Sequence, residues 1–173
     1  MARAGAVTFK GGPLTLVGDE LTVGQQAPDF TLHYFADGIH TLSLADLTGK
    51  PSIVSVVPSL DTPVCAIQTK RFNQDLASLG DQVTGLTVSC DLPFAQARFC
   101  GAEDIGNMRT GSDYRDRTFG EDWGTLIEEL KIMARAVYVL DAAGVVVYAE
   151  IVPEVTEEPD YDAALAALKG LLS

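Results

Sequence analysis

The chain has 173 residues, 47% hydrophobic and 21% charged, which suits one folded domain with its own core and excludes a disordered chain. Its formal net charge is −12, so its surface repels phosphate backbones and anionic lipid, and neither nucleic acid nor a membrane is an expected partner. No run is apolar for long enough to span a bilayer, and the N-terminus lacks a continuous signal-peptide core, so a cytoplasmic location is expected.

The first predicted element is an N-terminal β-hairpin over residues 1–18. Val7 and Phe9, then Leu14 and Leu16, alternate around Gly11, Gly12 and Pro13. VGQQAPDFTL reads as a loop entering a short strand. A turn follows at Asp37 and Gly38, then an alternating segment, and Gly49 closes a short helical turn. SIVSVV (52–57) is a continuous β-branched run bounded by Pro51 and Pro58, the pattern of a strand buried on both faces in a parallel sheet. From Thr62 to Gly80 the pattern is helical, with Val64, Ile67, Phe72, Leu76 and Leu79 on one side and Gly80 placed to end it.

VTGLTVS (83–89) is the next buried strand. DLPFAQARFC (91–100) reads as a second helix, with Asp91 as candidate N-cap and Pro93 in its first turn. TLIEELKIM (125–133) reads as a short helix. The segment 134–152 is two apolar strands around a turn at DAAG, a hairpin. The last helix carries Tyr161, Leu165, Leu168 and Leu172 on one face. A β-α-β unit with a hairpin added gives an α/β fold, a mixed central sheet flanked by helices on both faces. That is a thioredoxin-like fold over residues 1–173 as a single domain, with an N-terminal β-hairpin extension. The junction at 58–65 then sits at the carboxyl end of a central strand, where such folds build sites.

There are three cysteines, Cys65, Cys90 and Cys100, and two histidines. An odd cysteine count is no secreted disulfide framework, and there is neither a C-x-x-C nor a zinc pattern. In a reducing compartment these are thiols, and a disulfide among them is transient and functional. A helical cysteine is more often a packing residue than a reactive one. Cys65 departs from that expectation. With Thr62 as N-cap and Pro63 at the first helical position, Cys65 lies in the first turn, near unpaired N–H groups and the positive end of the helix dipole. Those terms favour thiolate over thiol, and the thiolate is the nucleophile. The Thr62 hydroxyl falls near the sulfur, and Pro58 ends the strand without adding a competing donor.

Pro58, Thr62 and Cys65 form the P-x-x-x-T-x-x-C signature of the peroxiredoxins. With PSLDTPVC, SCDLPFAQARFCGAE and ARAVYVLD, nearly the whole chain resembles the thiol peroxidase subfamily, the atypical two-cysteine type. The resemblance implies a thiol-specific peroxidase that reduces hydrogen peroxide and organic hydroperoxides to water and alcohols. It makes Cys65 the peroxidatic nucleophile, Thr62 the residue that orients the peroxide, and Arg135 the cation beside the sulfur. Spacing alone reads Arg135 as the start of an edge strand. It implies no cofactor, because electrons come from thioredoxin and ultimately from NADPH through thioredoxin reductase. It also implies a homodimer and a role in antioxidant defence.

Either Cys90 or Cys100 can be reached from a Cys65 sulfenic acid as far as spacing says. The resemblance makes Cys100 the resolving cysteine, through an intramolecular Cys65–Cys100 disulfide, and leaves Cys90 as a buried packing cysteine or an accessory thiol. Disulfide geometry needs Cα atoms within about 7 Å. Both cysteines look anchored in helices, so one or both helix ends are expected to unwind. His33 and His40 flank a turn and offer a Cys–His pair no evident support. Arg98 and Arg115 match family positions near the resolving segment. Trp123 is a candidate for the site or a subunit contact, and the acidic pairs 128–129 and 157–158 read as solvated helix ends. A thiol–disulfide exchange protein or redox adaptor, and a binding module with a structural Cys65, are the alternative classes.

Overall fold

The N-terminal alternation folds as a hairpin: β1 (Arg3–Phe9) and β2 (Gly12–Val17) pair antiparallel, in a computed structural model that describes residues 1–172. Next come β3 (Leu32–Phe35) and β4 (Ile39–Leu42), an antiparallel pair. Then β5 (Ser52–Val56) leads into α1 (Pro63–Leu76), and β6 (Thr84–Ser89) into α2 (Pro93–Ala102). The chain continues through β7 (Arg109–Ser112), α3 (Thr118–Asp122), β8 (Leu126–Ile127), β9 (Ala136–Leu140), β10 (Val146–Ile151) and α4 (Tyr161–Lys169).

The main sheet has seven strands in the order β10-β9-β5-β6-β7-β3-β4. The β5–β6 and β6–β7 pairs are parallel, and β5–β9, β9–β10 and β3–β7 are antiparallel. The sheet is mixed and the fold is thioredoxin-like, as the element pattern predicts. All five β5 residues are buried, which fits a strand that mixes β-branched Ile53, Val54 and Val56 with the small Ser52 and Ser55. Alternate side chains serve opposite faces. Ile53 packs with Phe72 and Leu76 of α1 and Leu165 and Leu168 of α4. Val54 and Val56 pack on the other face with Phe119 of α3 and with Trp123. Helices therefore cover both faces.

Four local expectations change. TLIEELKIM is not helical: Leu126 and Ile127 form β8, which pairs antiparallel with β2 at Val17 and Leu16. The hairpin thus becomes a three-stranded sheet, β1-β2-β8. Ile127 and Leu16 bury together with Val7, Ala134 and Val155, so tertiary packing outweighs the helical spacing of that segment. Helix α1 stops at Leu76, short of Gly80, whose positive φ of 55° closes the following turn. Asp91 does not cap α2; Leu92 is at the N-cap position and makes no side-chain cap. Strand β9 is not an edge, because it runs between β10 and β5. Among the described residues, no helix is long and apolar enough to cross a membrane.

Candidate active site

Strand β5 ends at Val56, and the chain turns through the buried Pro58 before α1 starts. Thr62 occupies the N-cap position in extended backbone, φ −125° and ψ 148°, and Pro63 follows at the first helical position. Proline suits that position because its missing N–H has no helical partner to lose. Cys65 therefore sits in the first turn, as its spacing predicts. It is 0% exposed and packs with Val57, Leu60 and Phe99.

Arg135, immediately before β9, is 2% exposed. Its Nη1 and Nη2 each donate to Cys65 Sγ at 3.5 Å. The rest of the guanidinium is anchored. Nε and Nη2 donate to the Val155 carbonyl at 3.0 and 2.8 Å, and Nη1 donates to Gln68 Oε1 at 3.0 Å. Gln68 is itself fixed, since its Nε2 donates to Ser55 Oγ on β5 at 2.7 Å. A buried cation without a carboxylate among these partners is costly unless an anion faces it. The Cys65 sulfur is the group that faces it.

Gln68 and Val155 are the site residues that sequence reasoning misses. Gln68 carried a usable signal, being a polar residue one turn after Cys65 and so on the same helix face. Val155 acts through its main-chain carbonyl, which leaves no mark in a sequence. The Thr62 hydroxyl donates to the Ser59 carbonyl at 2.8 Å, so it does not cap the helix and its proton is committed away from the sulfur. Its lone pairs remain free to accept from a ligand.

Cys100 lies on α2, half-buried, and all three cysteines are free thiols. The preceding residue, Phe99, packs against the Cys65 cluster. Consecutive helical positions point about 100° apart. Cys100 accordingly faces the groove of Tyr34, Phe35, Ile105, Met108 and Thr110. Burial pushes its thiol up, with a hydrogen bond to Thr110 opposing. The structure thus brings Arg135 to Cys65, keeps Pro58 and Thr62 in the turn that leads to it, and leaves Cys100 turned away. Cys90 follows β6 and packs against the main core; burial, then the negative charge of Asp113, push its thiol up to about 11.

The other candidates resolve into structure. His33 is buried edge-on to Tyr114, and His40 stacks on Tyr34, both on strands at the far side of the sheet. Strand β3 is three positions from β5, about 14 Å at normal strand spacing, so no Cys–His pair forms. Trp123 is 0% exposed, stacked on Phe119, with its N–H on the Pro28 carbonyl; it is core, neither site nor surface. Arg115 donates to the Tyr114 hydroxyl. Arg98 lines a cleft of about 390 Å³ between residues 59–61 and α2. Glu129 ends no helix and accepts the Thr15 N–H instead. Among the described residues no cluster of His, Cys, Asp or Glu could hold a metal ion.

Known proteins resemble the chain over nearly its whole length. The family model Redoxin matches residues 22–165. The chain is 54% identical over 166 residues to the thiol peroxidase of Bacillus subtilis, across 96% of this chain and 98% of that one. It is 50% identical over 165 residues to the thiol peroxidase of Staphylococcus aureus strain COL, across 95% and 98% of the two chains. The crystal structure of a peroxiredoxin-like protein from Aquifex aeolicus superposes with a TM-score of 0.89 at 42% identity, covering 98% of both chains.

Proposed function

This chain belongs to the Redoxin family and, within it, to the thiol peroxidases, and from that premise we propose that Cys65 is its peroxidatic cysteine. The observation that carries the proposal is the two-pronged donation from buried Arg135 to the Cys65 sulfur. A fixed positive donor beside the sulfur stabilises the negative charge that moves from sulfur onto the peroxide in the transition state. Because the fork is anchored by Val155 and Gln68, it needs no reorganisation during the reaction.

In the proposed cycle the thiolate attacks the terminal oxygen of a hydroperoxide. The S–O bond forms as the O–O bond breaks, and the departing oxygen takes a proton and leaves as water or an alcohol. Thr62, whose O–H already donates to the Ser59 carbonyl, accepts from the peroxide O–H and aligns it. Cys65 is then a sulfenic acid. The Cys100 thiolate attacks that sulfur, the disulfide forms, and the hydroxyl leaves as water. Thioredoxin returns two electrons by disulfide exchange, drawing on NADPH through thioredoxin reductase, so the cycle requires no resident cofactor. On the same reading the protein acts in the cytoplasm, as a homodimer, in antioxidant defence.

The test follows NADPH consumption with thioredoxin, its reductase and a hydroperoxide. Steady turnover is expected of the unmodified protein, none of Cys65→Ser, and at most one slow or inactivating cycle of Cys100→Ser. Sustained turnover by Cys65→Ser overturns the proposal.

A further inference from the structure

Asp91 sits between the two cysteines in the sequence and does something other than cap its helix. Its carboxylate accepts hydrogen bonds from the Ser59 hydroxyl at 2.6 Å, the Leu60 N–H at 2.8 Å and the Ser89 hydroxyl at 2.6 Å. The first two donors belong to the loop that leads into Cys65. The third belongs to the end of β6. Its own backbone is tied as well: Asp91 N–H donates to Ser89 Oγ at 3.3 Å, and the Ser112 hydroxyl donates to the Asp91 carbonyl. The buried Gln96 of α2 donates to the same Ser89 oxygen at 3.0 Å and to the Gly111 carbonyl at 3.1 Å.

This network fastens the Cys65 loop to the root of the helix that carries Cys100. Beside it, Phe99 of α2 packs against Leu60 and Cys65, and residues 59–61 and the outer face of α2 border an open cleft lined by Ala95, Arg98 and Ala102. The closed geometry buries Cys65 and turns Cys100 away from it. For the two sulfurs to bond, the Cys65 loop and α2 must move relative to each other. Hydrogen bonds to a carboxylate are about twice as strong as neutral ones, so the bonds at Asp91 oppose that opening.

We propose that Asp91 is a latch whose carboxylate holds the Ser59–Leu60 loop to the start of α2 and thereby sets how fast oxidised Cys65 is captured by Cys100. The proposal rests on Cys100 being the resolving cysteine. Asp91 touches neither the sulfur nor the peroxide, so it is a positioning residue. Its effect appears as a partition. A Cys65 sulfenic acid either meets Cys100, losing water to form the disulfide, or meets a second hydroperoxide, which oxidises it to a sulfinic acid and leaves as water or an alcohol. A tighter latch favours the second route.

The test doses the protein with increasing hydroperoxide, without reductant, and measures by mass the Cys65–Cys100 disulfide and the Cys65 sulfinic acid. Asp91→Asn keeps the side chain's size and removes its charge. The peroxide concentration that yields equal amounts of the two products is expected to rise about tenfold, the change that weakening one charge-assisted bond makes in an opening equilibrium. Ser59→Ala cuts the same strap from the loop side and is expected to act likewise. The double variant should fall well short of the sum of the singles, because both act on the Ser59–Asp91 bond. The ratio counts only molecules that reacted at Cys65, so a merely less stable protein does not move it. An unchanged ratio in Asp91→Asn, or full additivity in the double variant, overturns the latch. If the unmodified protein forms no Cys65–Cys100 bond at all, the resolving assignment fails and the latch falls with it.

Discussion

Arg135 carries its charge into the interior, and its hydrogen-bond partners are a carbonyl, an amide oxygen and a sulfur. The neutral acceptors fix the guanidinium without consuming its charge, which leaves that charge for the sulfur. The geometry needs a planar fork, since one end grips Val155 while the other faces Cys65. Arg135→Lys keeps the charge but cannot do both. We expect it to slow Cys65 oxidation, followed by rapid mixing, about a hundredfold or more, as losing a fixed oxyanion donor does elsewhere. A lysine variant at the unmodified rate would show that charge alone suffices. At this scale Pro58, Thr62 and Cys65 were legible because their spacing encodes a strand end, an N-cap and a first helical turn. Arg135 was legible through resemblance alone. Its alternation places it at the start of a strand, and nothing local says that its side chain crosses to α1.

At the scale of elements, the buried runs and the amphipathic helices were readable, and the short connections were not. TLIEELKIM has apolar residues at spacings a helix would accept. Its register is decided by β2, far off in sequence, which offers Leu16 and Val17 as pairing partners. Local pattern cannot reveal such a choice. Asp91 likewise fits the profile of a cap, yet its carboxylate is claimed by Ser59, Leu60 and Ser89. Packing between elements also sets a limit on β6. A Cβ at Gly85 would lie 2.4 Å from Met108 Sδ, 2.6 Å from Leu76 Cδ1 and 2.9 Å from the Asn107 carbonyl oxygen. Gly85→Ala therefore forces α1 or residues 107–108 away from the strand. Urea unfolding should show a loss of about 1–3 kcal/mol, the usual cost of overpacking. A neutral result would mean that this face of the sheet is loosely packed.

Over the whole molecule, two sheets meet at the active site. The N-terminal one braces the segment that holds the arginine: Thr8 N–H donates to the Pro153 carbonyl at 2.7 Å, and Val155 N–H to the Thr8 carbonyl at 2.8 Å. The hairpin thus reaches the chemistry indirectly, through the residue whose carbonyl grips Arg135. A second global property is pH response. Burial pushes the Asp113 carboxyl from 3.8 up to about 6, against N–H groups of Gly120 and Phe119 that favour its charge. The folded state then holds a proton that the unfolded chain has released, so stability from this group falls as pH rises between about 4 and 6. Urea midpoints across that window should decline with pH in the unmodified protein relative to Asp113→Asn. A difference flat with pH contradicts the assignment.

The central claim is that Cys65 takes the oxidation and Cys100 resolves it, although the reduced structure turns the two apart. Its most direct test is peptide mass mapping after one equivalent of hydroperoxide under non-reducing conditions. The account predicts a dominant intramolecular Cys65–Cys100 bond, with Cys90 recovered as a free thiol. A dominant Cys65–Cys90 bond, or only bonds between chains, would contradict it.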